Sequence, residues 1–514
     1  MLWLSVAGFT WIGIFVILLI TYYCPFSRTP NYLLLALFCA VYISFSIILL
    51  VPIDLATSTS DSTPLLSLPS SATFAIWRVV YWLSFALTWV VLPMLQSYLE
   101  SGHTDSKKKF YDALRANARH QLLQLMLAII GFIYFFVYAG LSVTSLKALV
   151  IALSHSYALI TAMLLMGIGL VNIPRSLFLQ ADPAQQLAAL EEHAPKLSDH
   201  LTESRMSYRT LSAEVQSLRP VMDGPFEEWI NGLLREAEDV PASQSISRLK
   251  VNENYLSGLT VQFKKAKFAR DRYEAEWNAL IEKAVELLDI LDAPSSRVLR
   301  FRLRHTRLPP QLAYYYYSCL RPLLCYAYGA IVTVFSALVI VSECLEGTNF
   351  SLLGVISAQL SGVGQEIISL LVVGYMCFAA YSSLAKLRLF NIFILTKRHT
   401  DWRSAIFYAT QACRLTIPLS YSYVNMVPRR VTSSVFEEFL EKSINLTPLG
   451  MYFVAWLPRF ILIPVAVSAF NLYGRVQRFL GFQEEFGEDD ALVGNRAEGR
   501  DLIRYELGTR MNPL

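Results

Sequence analysis

The sequence predicts an all-α, polytopic membrane protein with about nine transmembrane helices and a cytosolic helical insertion in the form of a coiled-coil hairpin. Three observations predict it. The 514 residues are 54% hydrophobic, with a mean hydropathy of +0.42 and only 16% charged residues, against about 25% in a typical soluble domain. The apolar residues gather into runs of about 20, the length that crosses ~30 Å of hydrocarbon at ~1.5 Å per residue. One stretch, 176–316, breaks that pattern and carries heptad-spaced apolar residues in a polar background.

In chain order, the spans fall near 2–23, 32–52, 74–98, 122–141, 146–171, 317–341, 366–385, 404–426 and 450–473. No basic residue precedes the first run and no small-residue cleavage site follows it, so it is expected to stay as a helix rather than leave as a signal peptide. The eighth is the least apolar, with Gln411, Arg414 and several hydroxyls. Leu352–Leu360 is too short to cross and reads as an interfacial or re-entrant piece. The chain thus divides into spans one to five (1–175), the insertion (176–316), spans six to nine (317–473) and a tail (474–514).

Orientation follows from where the cations sit. Lys107, Lys108, Lys109, Arg115 and Arg119 follow span three, and Lys386, Arg388, Lys397, Arg398 and Arg403 follow span seven. The loops after spans two and six hold neither Lys nor Arg. This places the N-terminus outside or in a lumen, and the insertion and tail in the cytosol, in a plasma membrane or an endomembrane (endosome, lysosome or vacuole). Two N-x-S/T sequons, at Asn349 and Asn445, fall on the expected outer side and are candidate glycosylation sites. Arg429, Arg430 and Lys442, in the loop after span eight, run against the rule.

In the insertion, one stripe reads Leu187, Leu190, Ala194, Leu197, Leu201, Ser204, Tyr208, Leu211, Val215 and Leu218. A second reads Leu256, Leu259, Phe263, Ala266, Arg270, Tyr273, Trp277, Leu280, Ala284, Leu287 and Leu291. Alternating steps of three and four are those of a coiled-coil seam. Pro220, Gly224, Pro225 and Pro241 punctuate the connector, around a short helix near 227–238. Two long antiparallel helices projecting from the membrane are expected, with a compact helical domain as the alternative. Such a surface suits cytosolic or membrane protein partners docking through 182–292.

Nothing in the sequence assembles a catalytic set. It holds no GxSxG, Walker, HExxH or helix-opening GxGxxG pattern, its seven cysteines include no CxxC pair, and its histidines are scattered. No enzyme activity, cofactor, metal site or nucleic-acid partner is expected. Ionisable residues inside the apolar runs are the functional pointers, because each costs a few kcal/mol near the bilayer centre. They are Arg78, His155, Arg414 and Arg459, with Glu366 at the outer end of span seven as the one acid near a span able to pair with them. Arg78 is close enough to a helix end to snorkel. Arg414, Arg459, His155 and Glu366 are the candidate contacts for a ligand or a lipid headgroup, and the excess of cations points to an anionic group. Pro418, Pro458 and Pro464 should bend spans eight and nine and free backbone carbonyls there.

Several short stretches resemble one family. Span three reads Trp77-Arg-Val-Val-Tyr-Trp82, then Leu87-Thr-Trp89, Leu92-Pro93, Gln96-Ser-Tyr98 and Ser101-Gly102, with Asn117 beyond the basic loop. Gly167-Ile-Gly-Leu-Val171 and Ile173-Pro-Arg-Ser176 close span five, and Arg414-Leu-Thr-Ile-Pro-Leu419 lies in span eight. These are similar to the limb-region-1-like (LIMR) multi-pass membrane proteins. The tail, with Leu480-Gly-Phe-Gln483 and Glu498-Gly-Arg-Asp-Leu-Ile503, resembles the branch called limb-region-1-domain-containing protein 2. The resemblance implies nine spans, an outer N-terminus and a cytosolic coiled-coil loop. It also implies roles as receptors or as trafficking and signalling adaptors, with no motif that carries a role to single residues. Two functions are therefore expected. The first is a membrane receptor or adaptor that senses a lipid or hydrophobic ligand and recruits partners through its helical loop. The alternative is a transporter or lipid-moving protein using a polar site between spans eight and nine.

Overall fold

The computed structural model describes residues 2–24, 29–58, 65–139, 143–221, 226–241, 251–295, 297–303, 309–345, 352–360, 363–386, 393–427, 434–444, 457–470 and 496–511. Within these, the side chains of 128, 132, 134–139, 143–156, 354, 357, 358, 440–444 and 457 lie outside the description. Helices α1 (Leu2–Tyr23), α2 (Asn31–Ser58), α3 (Ser70–Glu100), α4 (Ser106–Ala139) and α5 (Val143–Ala181) come first. The polar insertion holds α6 (Pro183–Gln216), α7 (Glu227–Glu236) and α8 (Glu253–Asp292). Then follow α9 (Pro310–Cys344), the short α10 (Leu352–Gln359), α11 (Val363–Lys386) and α12 (Trp402–Met426). Last come α13 (Val435–Ile444), α14 (Leu462–Ala469) and α15 (Arg496–Met511).

Among the described residues, α1, α2, α3, the Tyr157–Ala181 part of α5, α9 and α11 are long and apolar enough to cross a membrane. The expected span at 122–141 falls largely in α4, that at 404–426 is α12, and that at 450–473 is represented by a turn at Leu457–Ile461 followed by α14.

Helix α12 packs against α2, α5 and α11, with most of its residues buried and none exposed. That burial explains why it read as the weakest span. A helix walled by protein needs no apolar face toward lipid, and its hydroxyls can bond within the bundle. Thr410, Thr416 and Ser420 each donate to the carbonyl four residues back, at 2.7, 3.4 and 2.9 Å. Pro418 sits inside α12 without ending it.

Close approaches use glycine. A Cβ on Gly169 of α5 would stand 2.1 Å from the Ala379 carbonyl oxygen of α11, and one on Gly167 would stand 2.8 Å from Pro464. Only hydrogen fits at the first position, so the Gly167-Ile-Gly169 element sets the spacing of α5 against α11 and α14.

Proline shapes α3 in a similar way. Pro93 has no N–H to give and its ring crowds the carbonyl of Trp89. The helix widens into a π-turn at Leu87–Val91. The freed Trp89 carbonyl accepts from Gln121 Nε2 of α4 at 3.2 Å. Asn117 Nδ2 donates to the Pro93 carbonyl at 3.1 Å and lies 3.2 Å from Ser97 Oγ. A second π-turn, Tyr316–Leu320, precedes Pro322 in α9.

Helices α6 and α8 run antiparallel, as the two stripes predict. Leu187, Ala194, Leu197 and Leu201 pack with Trp277, Leu280, Ile281 and Ala284, while Tyr208, Val215 and Leu218 pack with Leu256, Leu259 and Phe263. Helix α8 meets the bundle at Ser257 against Gly102, Glu253 against Lys108 and Glu276 against Thr396, so over this stretch the hairpin lies along one end of the apolar bundle.

Candidate functional site

The end of the bundle that carries the hairpin is called the hairpin end below, and the opposite one the far end. The sequence-predicted site residues are not gathered into one place. Glu366, 3% exposed at the far end of α11, accepts from the backbone N–H of Leu65 at 3.0 Å and of Leu66 at 3.2 Å. The carboxylate expected to answer an arginine instead fastens the segment before α3. Arg414 lies midway along α12, partly buried, and makes no hydrogen bond or ion pair among the described residues. Arg459 lies in the turn before α14, within electrostatic reach of Cys344 at the end of α9. Arg78 is exposed on α3, as a snorkelling residue would be. The His155 side chain, Asn349 and Asn445 lie outside the described residues.

Two buried acids were missed. Asp54, 1% exposed in α2, accepts from Trp77 Nε1 at 3.1 Å and from the backbone N–H of Val435 and Phe436 at 3.0 and 2.9 Å. It ties α2, α3 and the start of α13 together. Glu343, fully buried near the end of α9, accepts from the Ser422 hydroxyl of α12, and its other oxygen has no hydrogen-bond partner among the described residues. The spans as read stopped at 52 and 341, short of helices that continue to Ser58 and Cys344. An acid within one turn of an apolar run's end was the available signal. With Glu366, they make a layer of three buried carboxylates at the far end, each answered by backbone amides or a hydroxyl.

The hairpin end is built differently. A Cβ on Gly102 would stand 2.0 Å from the Ser257 carbonyl oxygen of α8, so the α3–α4 loop meets α8 backbone to backbone. Lys108 Nζ and His103 Nδ1 lie 2.6 and 3.3 Å from Glu253. Further along α8, Thr396 Oγ1 lies 3.4 Å from Glu276, and Arg403 Nε lies 3.4 Å from Glu100 across α12 and α3. Between these contacts a cleft of about 20 Å³, room for one water, separates Leu99–Gly102 from Val261–Phe268 of α8, with Asp401–Arg403 as its floor. Burial pushes the Asp401 carboxyl up to about 6, against the pull of the Arg403 and Arg272 guanidinium groups.

Helix α15 lies on α6 and α8 and makes the hairpin a three-helix module. Glu191, whose side chain is 4% exposed, receives Arg496 Nε at 2.8 Å and Arg500 Nε at 3.1 Å. Burial alone would raise the Glu191 carboxyl, but the hydrogen bonds from Arg500 and Arg496 outweigh it and hold the group below its usual range. Between those arginines, a Cβ on Gly499 would stand 1.7 Å from the Glu191 carbonyl oxygen. Ile503 is 2% exposed in the seam, and Arg510 reaches Asn278 of α8. The Glu498-Gly-Arg-Asp-Leu-Ile503 element of the tail is therefore a docking element.

A family model described as LMBR1-like membrane protein matches residues 1–473. A G-protein coupled receptor-associated protein LMBRD2 from Xenopus laevis is 27% identical, over 87% of this chain and 69% of the relative. The human protein of that name is 27% identical, over 84% and 68%, and the zebrafish (Danio rerio) LMBRD2B is 25% identical, over 95% and 81%. No solved structure matches the chain. The match covers about nine-tenths of the length and the apolar helices agree with it, and the chain belongs to the LMBR1-like family of membrane proteins.

Proposed function

We propose that the protein is a receptor-associated membrane adaptor. Its apolar bundle anchors it beside a membrane receptor, and its helical module, spanning 176–316 with α15 added, recruits cytosolic partners without enzyme chemistry. One observation carries the reading: the tail returns to close the hairpin into a three-helix module laid across the bundle end. The relatives' names, as G-protein coupled receptor-associated proteins, support it. The lysines and arginines at the hairpin end support a cytosolic location for the module. The far end then faces outside or a lumen, the side on which the sequence pattern expects the Asn349 and Asn445 sequons.

The module's outer face can be altered without touching its seam. Met206 is 63% exposed on α6, and Arg209 and Glu203 are exposed beside it. A Met206→Glu, Arg209→Glu variant purified from membranes should keep its melting temperature and lose co-purifying proteins. Partner recovery equal to that of the parent chain would refute the reading. The far end is checked by treating the protein with glycosidase: a mobility shift lost in Asn349→Gln and Asn445→Gln marks it as outer.

Arg414 is the observation that favours the second reading, a transporter or lipid-moving protein, because a partly buried cation with no partner among the described residues suits an anionic cargo. Vesicles reconstituted with the parent chain and with Arg414→Ala decide it. Flux through the parent that falls at least tenfold in the variant would replace the adaptor reading.

A further inference from the structure

The cations along the cleft at the hairpin end exceed what the nearby acids answer. Glu253 is taken by Lys108 and His103, Glu236 by Lys267 and Glu100 by Arg403, while Asp401 on the floor of the cleft lies under the pull of Arg403 and Arg272. Lys264 and Lys265, on the α8 wall of the cleft, make no ion pair among the described residues. Lys109 of α4 stands 5.9 Å from the Tyr98 ring centroid and has no carboxylate partner among the described residues either. Lys264 is exposed as a residue, yet the crowding of its ammonium, and then the like charges of Lys109 and Lys267, hold it below its usual range despite the pull of Glu236. Lys109 and Lys264 thus stand near one another beside the Glu236-paired Lys267, and Lys265 joins Lys264 on the lining of the cleft.

The same spot presents apolar side chains to its surroundings. Phe110 and Tyr111, next to Lys109, are 56% and 68% exposed, and Phe268 of α8 is 37% exposed. Exposed aromatic rings among cations suit the headgroup layer of a membrane, where rings enter the boundary and ammonium groups meet phosphate. Gln121 and Asn117 bind the Trp89 and Pro93 carbonyls, so α4 descends along α3 and carries Lys109 to the level of Tyr98, just past the apolar run. A headgroup with a single net charge answers one of these cations. Answering three requires several phosphate charges on one molecule.

We propose that Lys109, Lys264 and Lys265 bind the headgroup of an inositol phospholipid bearing phosphomonoester groups, laid over the mouth of the cleft between the α3–α4 loop and α8. The cleft holds about one water, so the ring lies on its rim, and the phosphates bridge α4 to α8. Bound lipid joins the helical module to the bundle through charge as well as through the Gly102–Ser257 contact. The inference rests on the cytosolic placement of this end, because such lipids belong to the cytosolic leaflet, but not on any protein partner.

Native mass spectrometry of the purified full chain tests it, with a doubly phosphorylated phosphatidylinositol and phosphatidylserine offered in equal amounts. The parent chain should retain the phosphorylated lipid at least tenfold over phosphatidylserine. Lys109→Ala, Lys264→Ala, Lys265→Ala together should abolish that preference without lowering the melting temperature, since none of the three makes an ion pair among the described residues. A variant losing three cations on the hairpin, Arg209→Ala, Arg219→Ala, Arg235→Ala, should keep it. Equal retention of both lipids by the parent, or an unchanged preference in the lysine variant, would overturn the proposal. So would soluble inositol trisphosphate displacing the lipid at equal concentration, which would assign the site to a free phosphate. Lipid retention is read on purified protein, so its failure leaves the adaptor reading untouched, and loss of co-purifying partners leaves lipid retention unchanged.

Discussion

Helix α15 contains a matched pair of glycines that separates docking from helix propensity. Gly508→Ala adds a methyl group where nothing lies within 4 Å, whereas Gly499→Ala places it 1.7 Å from the Glu191 carbonyl oxygen. In an isolated helix both changes stabilise, by up to about 1 kcal/mol each. In the docked helix the second must push α15 from α6 by roughly 1.5 Å to reach an ordinary contact distance, and a gap of 0.5–1 Å already forfeits a quarter to a half of the dispersion energy. Burial of Ile503 contributes about 1.5–3 kcal/mol. The bonds from Arg496 and Arg500 to Glu191 orient the helix and are weakened by water, because both guanidinium groups are about half exposed. Local docking is therefore worth on the order of 3 kcal/mol, most of it from apolar burial, and most of it is lost when the seam opens. Amide hydrogen exchange over 496–511 is the assay. Protection should fall about a hundredfold or more in Gly499→Ala, and hold or rise slightly in Gly508→Ala. Equal protection in the two variants would refute the three-helix seam.

Three further outcomes follow from other contacts. Gly169→Ala sets a methyl group 2.1 Å from a backbone oxygen of α11, and neither helix can move without unpacking α12. It should abolish the monodisperse peak in size-exclusion chromatography, whereas Gly131→Ala, in open space on α4, should not. Glu366→Ala strands two backbone N–H groups at roughly 1–3 kcal/mol apiece, so the melting temperature should fall and proteolysis should begin near Leu65 and Leu66. Asp401 gives the contact between α8 and α12 a pH dependence. Its carboxyl stands at about 6 when covered and about 3.9 when free. The covered state thus binds the extra proton, and the contact strengthens as pH falls from about 7 to 4, by on the order of 2–3 kcal/mol. Amide hydrogen exchange over 253–268, corrected for the intrinsic effect of pH on exchange, should accordingly show stronger protection at pH 5 than at pH 7.5, and Asp401→Asn should flatten the difference. A contact that weakens in acid would overturn the assignment.

Periodicity and composition made much of the fold legible. Heptad steps placed α6 and α8 and their antiparallel pairing, since burying a stripe on each of two helices leaves few other arrangements. They could not show where the hairpin lies, because that is decided by a backbone contact at Gly102 and a few side chains from loops distant in sequence. The weak eighth span illustrates the opposite limit. Hydropathy measures fitness for lipid, and α12 meets mostly protein, so its hydroxyls lowered the score of one of the most buried helices in the bundle.

The site residues were less legible for a related reason. Searching apolar runs for charge finds cations well, since an arginine at mid-span has no local partner and stands out. It misses acids at helix ends, where the run appears to have stopped. Asp54 and Glu343 lie in that blind zone, and Glu366 was found but given the wrong partner. All three are matched to backbone amides or a hydroxyl, which carry no sequence signature. The consequence bears on where activity should be sought. A carboxylate held by two amides is committed to holding a loop, so Asp54 and Glu366 define the shape of the far end. At the hairpin end Lys109, Lys264 and Lys265 make no ion pair among the described residues, and charge left without an acid is what a ligand can still engage.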